Sequence, residues 1–370
     1  MTSFPDSASS SDSPPTKVTR RTALSGLAAS GLAASVFAGG ARRHKQRIRV
    51  GQIGIGHAHS TKLSVYRESA DYEVVGLVES DPRLRGTIAK NVTFKDVPLM
   101  TQEQLLNVAD LDVVLVETRV NDLLGTAEAC VNAGKHVHID KPAGDSLPHF
   151  RRIVESAERQ QLMIQMGYMY RYNPAIALLQ KFLAEGWLGD VFEIHTVMSK
   201  VVPEANRASL AKFPGGVMFE LGCHLIDLVV GVLGKPNSVT PFSQHVSPKD
   251  DGLVDNMLAV MEYDRAIASV KSSAVEVDGF ARRHFVVCGT EGTFHIQPLD
   301  NPSARVALSK PRAKYQKGYQ DVSFPKYRRY VADAADMASV LRGDKVSSFD
   351  AKHDLNVQEA VLRASGLPLN

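Results

Sequence analysis

Cysteine is scarce in this chain of 370 residues. Cys130, Cys223 and Cys288 are too few and too scattered for a disulfide scaffold, and no C-x-x-C pair suggests zinc. Long apolar runs are missing as well: none reaches the roughly 18 residues a membrane span requires. Nor is there an internal repeat or, after residue 47, a low-complexity run. A basic face is lacking too. The net charge is +3, but residues 1–47 hold seven basic residues against two acidic ones, so residues 48–370 carry −2. Nothing in that balance argues for the clustered cationic surface a nucleic-acid partner needs. With 44% hydrophobic and 22% charged residues the bulk is globular. Its length suits two domains at roughly 100–200 residues each, or one large domain with additions.

The N-terminus differs from the rest. Residues 1–16 are rich in Ser, Pro and Asp and lack the apolar content to fold. Arg20-Arg21 then precede a weakly apolar, small-residue stretch from Ala23 to Ala41. A charged start, a short apolar core and small residues at the end form the layout of an export signal. The paired arginines resemble a twin-arginine signal, with Ala23 where a bulky residue is usual. The expectation is a signal or disordered segment over 1–47, an exported, periplasmic protein, and no membrane contact once the signal is removed. An uncleaved anchor, or a tail around a chance Arg-Arg on a cytoplasmic protein, are the competing readings.

A dinucleotide-binding pattern begins at residue 48. Ile48–Ile53 reads as a buried strand, followed by Gly54-Ile55-Gly56-His57-Ala58-His59, a helical stretch from Ser60, and a second strand over Tyr72–Val78 that ends at Glu79. Glycines for a tight turn, a helix start for the pyrophosphate and an acid for the ribose hydroxyls are needed in that order. Glu79 lies 25 residues beyond Gly54, a suitable spacing, and its charge favours NAD over NADP, although Arg83 and Arg85 just downstream soften the preference. His59 stands where a third glycine is usual. His57 and His59 are read as polar contacts near the cofactor, with no metal. Strands over 112–116 and 135–139 and a helix over 123–132 continue the alternation, which implies a doubly wound parallel sheet. Ligands of such sheets sit beyond the strand carboxyl ends, where Thr118-Arg119 and Asp140-Lys141-Pro142 fall.

AGKHVHIDKP (Ala133–Pro142) resembles the A-G-K-H-V-x-x-E-K-P segment of the Gfo/Idh/MocA oxidoreductases. Three further segments agree in order: GYMYRYNPA (Gly167–Ala175), GWLGDVFEI (Gly186–Ile194) and GGVMFELGCHLIDL (Gly215–Leu228). The resemblance covers roughly 48–300. It implies a Rossmann domain, placed at 48–165, and an α+β domain with a large open, mostly antiparallel sheet, placed at 166–370. It also implies NAD(P)-dependent redox chemistry on CH–OH groups of sugars, cyclic polyols and related carbohydrates, and a homodimer or homotetramer through the second sheet. Asp140 replaces the family's Glu, Glu220 replaces its Asp, and Thr118-Arg119-Val120 stands where Thr-Pro-Asn is usual.

Removing the hydroxyl proton as hydride leaves requires a base within hydrogen-bond reach. Lys141 is one candidate, its ammonium depressed by burial. His224 is the other, assisted by Glu220 one helical turn earlier. The catalytic set is therefore Lys141, His224 and Glu220. The cofactor set is Gly54, Gly56, His57, His59, Glu79, Thr118, Asp140 and Lys141. Arg119, Tyr168, Arg171, Tyr172, Asn173 and Asp227 are the substrate-binding candidates, Arg119 either for an acidic substrate or as a partner of Glu117. Beyond Val191 the pattern turns to longer strands with hairpin-length turns, an antiparallel meander with loops over 203–213 and 236–252 and helices over 332–341 and 354–364. Two other classes share these motifs: an enzyme that retains NAD while cleaving or eliminating a glycoside, and a non-catalytic carbohydrate-binding relative.

Overall fold

The computed structural model describes residues 46–370. The paired arginines and the stretch to Ala41, which carry the export reading, lie outside the described residues. Strands β1 (Ile48–Ile53), β2 (Tyr72–Val78), β3 (Val113–Val116), β4 (His136–Ile139) and β5 (Ile164–Met166) form a parallel sheet in the order β2-β1-β3-β4-β5. All four side chains of β3 are buried, as a strand covered on both faces demands. Helices α1 (Leu63–Glu68), α2 (Pro82–Arg85), α3 (Gln102–Leu106), α4 (Val120–Asn132) and α5 (Leu147–Arg159) lie between or after these strands. The strand order reverses at β1, which opens a crevice beyond the carboxyl ends of β1 and β3.

The second sheet follows α6 (Pro174–Ala184). Its strands are β6 (Val191–Ser199), β7 (Ser238–Gln244), β8 (Asn256–Glu262), β9 (Ile267–Ser273), β10 (His284–Gly289), β11 (Gly292–Ile296), β12 (Ser303–Leu308) and β13 (Gly318–Ser323). The order is β13-β12-β11-β10-β6-β9-β8-β7, antiparallel except between β6 and β9. A plain meander is thus corrected, because β6 is inserted between β10 and β9. Between β6 and β7 come α7 (Glu204–Leu210) and α8 (Cys223–Leu233), the latter packed on β6 and β9; the short α9 (Gly279–Arg282) precedes β10.

Both expected loops contain regular structure. Residues 203–213 hold α7, anchored by the buried Arg207 to Asp251 and Asp255. Residues 236–252 hold β7. Pro241 argues against a strand, but β7 is the sheet edge, where a missing N–H costs no ladder bond.

After β13 the chain returns through α10 (Val331–Leu341) and α11 (Ala351–Ala364). Ala334, Met337 and Ala338 of α10 pack with Val50, Leu63, Tyr66, Tyr72 and Leu115. The Tyr72 hydroxyl donates to the Ala334 carbonyl at 2.7 Å. Assigning everything after 166 to the second part therefore misplaces α10, which covers the first sheet. Among the described residues no helix is long and apolar enough to cross a membrane.

Candidate active site

The turn after β1 closes against the end of β3. Gly54 has φ +90°, and a Cβ there would sit 2.6 Å from the Thr118 amide nitrogen, so only glycine fits. Glu79, at the end of β2, accepts from the Ile55 and Asp81 amides, each at 2.8 Å. A cavity of about 360 Å³ opens here, lined among others by Gly54, Gly56, Glu79 and Thr118. At Gly56 a Cβ would lie 3.0 Å from Cγ of Arg119 and narrow it, so the turn makes a cradle of the kind a dinucleotide needs. The helix expected from Ser60 starts as a 3₁₀ turn, Ser60–Lys62, before α1.

Gly56 and Arg119 also line a second cavity of about 600 Å³, with His57, Lys141, Lys200 and Glu220 on its walls. The Lys141 ammonium donates to the Glu220 carbonyl at 2.7 Å and lies 3.6 Å from its carboxylate. Burial opposes the charge on Lys141, but Glu220, Cys223 and Asp140 outweigh it and hold the ammonium above the ordinary lysine range. The expected depression is thereby reversed. Glu220 is the complement: burial pushes it up, while Lys141 and Lys200 hold it below the usual carboxylate range.

Glu220 does not follow α-helical spacing. Met218–Gly222 forms a π-turn ahead of α8, entered through Gly216, whose positive φ brings its backbone onto the Val254 carbonyl. Glu220 reaches the cavity wall, while His224 sits one layer behind, 3% exposed and packed against His59 and Tyr170. Burial and Lys141 push His224 well below the ordinary histidine range, so it is neutral. The Glu220 Oε2, His224 Nδ1 and Tyr168 hydroxyl are buried without a hydrogen-bond partner among the described residues. Such orphans call for a ligand or water.

Beneath Lys141 lies a buried ammonium. Lys62 Nζ contacts Asp140 Oδ2 at 2.7 Å, Glu117 Oε1 at 2.9 Å and His138 Nε2 at 2.7 Å, which uses its three donors. His138 Nδ1 meets Gln165 Oε1 at 2.9 Å, so the neutral Nδ1–H tautomer satisfies both ring nitrogens. Asp140 also takes the Lys141 amide and faces the rings of His57 and His59. Burial opposes its charge, but His57, Lys62 and His59 hold its carboxyl well down. Burial and Asp140 push Glu117 up. Glu117, His138 and Asp140 could geometrically ligate a metal, as could His57, His59 and Asp140. In the first set Lys62 already stands at the centre as the cation. In the second, Asp140 carries Lys62, and both His57 nitrogens are engaged, Nε2 with the Lys141 carbonyl and Nδ1 with Asp140 and the His59 amide. Neither is read as a metal site.

His59 gives a pH signature. Burial, against the pull of Asp140, pushes it down to about 4. Between pH 6.5 and about 4 the unfolded chain takes up a proton that the folded chain refuses, so stability falls with pH in that window, by up to about 3 kcal/mol. Urea denaturation from pH 7 to pH 4 should show a steeper loss for the parent than for His59→Gln. Equal slopes would contradict this assignment.

Several candidates lie elsewhere. Arg171 forms a bidentate pair with Asp227 and a second pair with Asp354, and His353 adds to Asp227 at 3.2 Å. This buried cluster ties the segment after β5 to α8 and α11. Tyr172 donates to Asp336, and Asn173 caps α6 through the Ala175 amide. The structure thus brings none of Arg171, Tyr172, Asn173 or Asp227 to the Lys141 cavity, and only Tyr168 comes near, edge-on to His224. Arg119 pairs with Asp81 at 2.6 Å, not with Glu117. Lys62, His138 and Lys200 escaped the sequence reading. Lys62 and the buried Tyr66 stand at i and i+4, a spacing that put the lysine on the inward face of its helix.

A family model described as an oxidoreductase family with an NAD-binding Rossmann fold matches residues 48–168, and one for the GFO/IDH/MocA C-terminal domain matches residues 176–295. The uncharacterized oxidoreductase YdgJ of Escherichia coli strain K12 is 25% identical over 275 residues, 74% of this chain and 78% of that protein. The scyllo-inositol 2-dehydrogenase (NADP(+)) IolW of Bacillus subtilis strain 168 is 24% identical over 206 residues, 54% of this chain and 55% of its own length. An oxidoreductase from Agrobacterium radiobacter, solved with NAD+, L-tartaric acid and magnesium, has the same fold, with a TM-score of 0.74 at 16% identity over 86% of this chain and 96% of that one.

Proposed function

The chain belongs to the Gfo/Idh/MocA oxidoreductases, with an NAD-binding Rossmann fold in its first half, and on that premise we propose that it moves hydride between nicotinamide and a CH–OH group of a sugar or polyol. The observation that supports this most is the juxtaposition of Lys141 and Glu220 on the wall of a cavity that adjoins the Glu79 cleft across Gly56 and Arg119. In this reading Gly54, Gly56, Glu79 and Thr118 hold the dinucleotide, Glu79 taking the ribose hydroxyls. The bound cofactor supplies the hydride acceptor or donor. Lys141 handles the hydroxyl proton. As an ammonium it gives a proton to a carbonyl substrate, and as the free amine it takes one from a carbinol. Glu220 fixes the Lys141 side chain and presents a carboxylate edge to a neighbouring hydroxyl. His57, hydrogen-bonded to the Lys141 carbonyl at 3.0 Å, holds the backbone on which the lysine stands.

The test is to purify the full chain, release and identify any bound nucleotide, and screen sugars, inositols and glycosides for NADH formation and for bond cleavage. NADH formation from a free carbinol is expected. Glycoside cleavage without net NADH would replace this reading with the NAD-retaining one. Glu79→Ala should weaken NAD binding by about tenfold or more, the scale of a lost hydrogen bond to a charged group. Undiminished affinity in that variant would remove Glu79 from the ribose.

A further inference from the structure

Charge on the Lys141 cavity wall is unbalanced, and the imbalance has a place. Lys141 is matched by Glu220 and Arg119 by Asp81. Lys200, the residue after β6, lines the same cavity. Its backbone is fixed by the bond from its amide to the Ser273 carbonyl at 3.0 Å. Among the described residues no carboxylate stands within ion-pair distance of its ammonium, although the side chain is half-buried. Lys200 reaches Glu220 only from beyond ion-pair distance, and Lys141 already occupies that carboxylate, so the wall keeps one positive charge in excess.

The wall beside Lys200 suits such a group. Asn206 and Ser209, at i and i+3 of α7, line the cavity together and add neutral polar groups. Arg207, between them, is drawn away to Asp251 and Asp255, which fixes the helix and the direction its polar pair faces. Phe213 and Phe280 add apolar wall. The cavity thus has a proton-handling end at Lys141 and Glu220, a cationic side at Lys200, and room for a small molecule.

We propose that Lys200 is a substrate-binding residue for a carboxylate, and that the substrate is a sugar acid or polyol acid rather than a neutral carbohydrate. The carboxylate pairs with the Lys200 ammonium, flanked by Asn206 and Ser209, while a carbinol of the same molecule reaches Lys141. Two ammonium groups, Lys141 and Lys200, face one carboxylate, Glu220, and the single positive charge in excess favours a carboxylate over a phosphate dianion. The assignment rests on the oxidoreductase reading above and deepens it.

The experiment uses the full chain saturated with NAD. Aldonates and uronates of the common hexoses and pentoses are titrated by calorimetry, each beside its neutral parent and the corresponding sugar phosphate, and NADH formation is followed in parallel. An acid should bind at least about tenfold more tightly than its parent. Lys200→Met should weaken binding of that acid by about 10–100-fold, the range for a hydrogen bond to a charged group, and leave the neutral parent within about twofold. Lys200→Arg should retain the preference. Equal binding of acid and neutral parent, unchanged acid binding in Lys200→Met, or tighter binding of the phosphate would each overturn the proposal. Turnover separates the two levels. NADH from neutral carbinols without a Lys200-dependent acid preference defeats this inference alone. Lys200-dependent acid binding with NADH from no member of the panel leaves the carboxylate site standing and defeats the oxidoreductase reading.

Discussion

Lys141→Ala should lower turnover by about 10²–10⁴-fold, the usual contribution of a positioned proton-transfer group, while the amount of bound NAD stays at the parental level. The lysine faces the Glu220 side of the cavity, whereas the dinucleotide cradle is built from Gly54, Gly56 and Glu79. The pH profile distinguishes proton transfer from a steric defect. Glu220 and its neighbours keep the Lys141 ammonium above its ordinary range, so the free amine is scarce near neutrality. Carbinol oxidation by the parent should therefore climb with pH into the alkaline range, and that dependence should vanish in Lys141→Ala. A parental profile that is flat above neutrality, or a variant within about threefold of the parent, would take the proton away from Lys141.

A comparable effect on stability is expected at Lys62. Lys62→Met keeps the length of the side chain and removes the charge, leaving Asp140 buried without its ammonium. Breaking a buried pair by removing one partner typically costs about 3–5 kcal/mol, so chemical denaturation near pH 7 should show a loss of that size. The sign of the pH dependence follows from Asp140. In the parent its folded pKa lies below the unfolded value, so its ionised form stabilises the fold above pH 3.8 and that contribution fades as the pH falls. Without Lys62 the carboxyl is pushed up and can be protonated in the fold. The gap between parent and variant should then narrow on acidification. A loss under about 1 kcal/mol, or a gap that widens as the pH drops, would mean that Lys62 is not the counter-charge of this cluster.

The first sheet was legible because each strand is a short apolar run that ends in a chemically marked turn. Gly54, Glu79 and Asp140-Lys141 all fall at strand ends where the crevice forms. The edges of the second sheet were less so. β7 contains Pro241, and β13, Gly318–Ser323, is partly or wholly exposed along its length, so neither carries an alternating signal. The site was half legible. Glu220 and Lys141 could be named from their motifs, but the π-turn that parts Glu220 from His224 has no local signature in MFELG. Arg171 and Asp227 looked like substrate ligands because they are polar residues in two segments, Gly167–Ala175 and Gly215–Leu228, that resemble the family's. Only the tertiary structure reveals that Arg171 pairs with both Asp227 and Asp354. Lys200 follows a strand of ordinary composition, and only the tertiary structure puts it on the cavity wall.

The return of α10 to the first sheet bears on how this chain is made. The Tyr72 hydroxyl and its acceptor on Ala334 are 262 residues apart. At about 5–20 residues per second of synthesis, roughly ten to fifty seconds pass before that acceptor leaves the ribosome. Throughout that interval the apolar face formed by Val50, Leu63, Tyr66 and Leu115 lacks part of its cover. The amino-terminal half therefore cannot finish folding behind the ribosome while the rest is being translated. Its completion waits for α10.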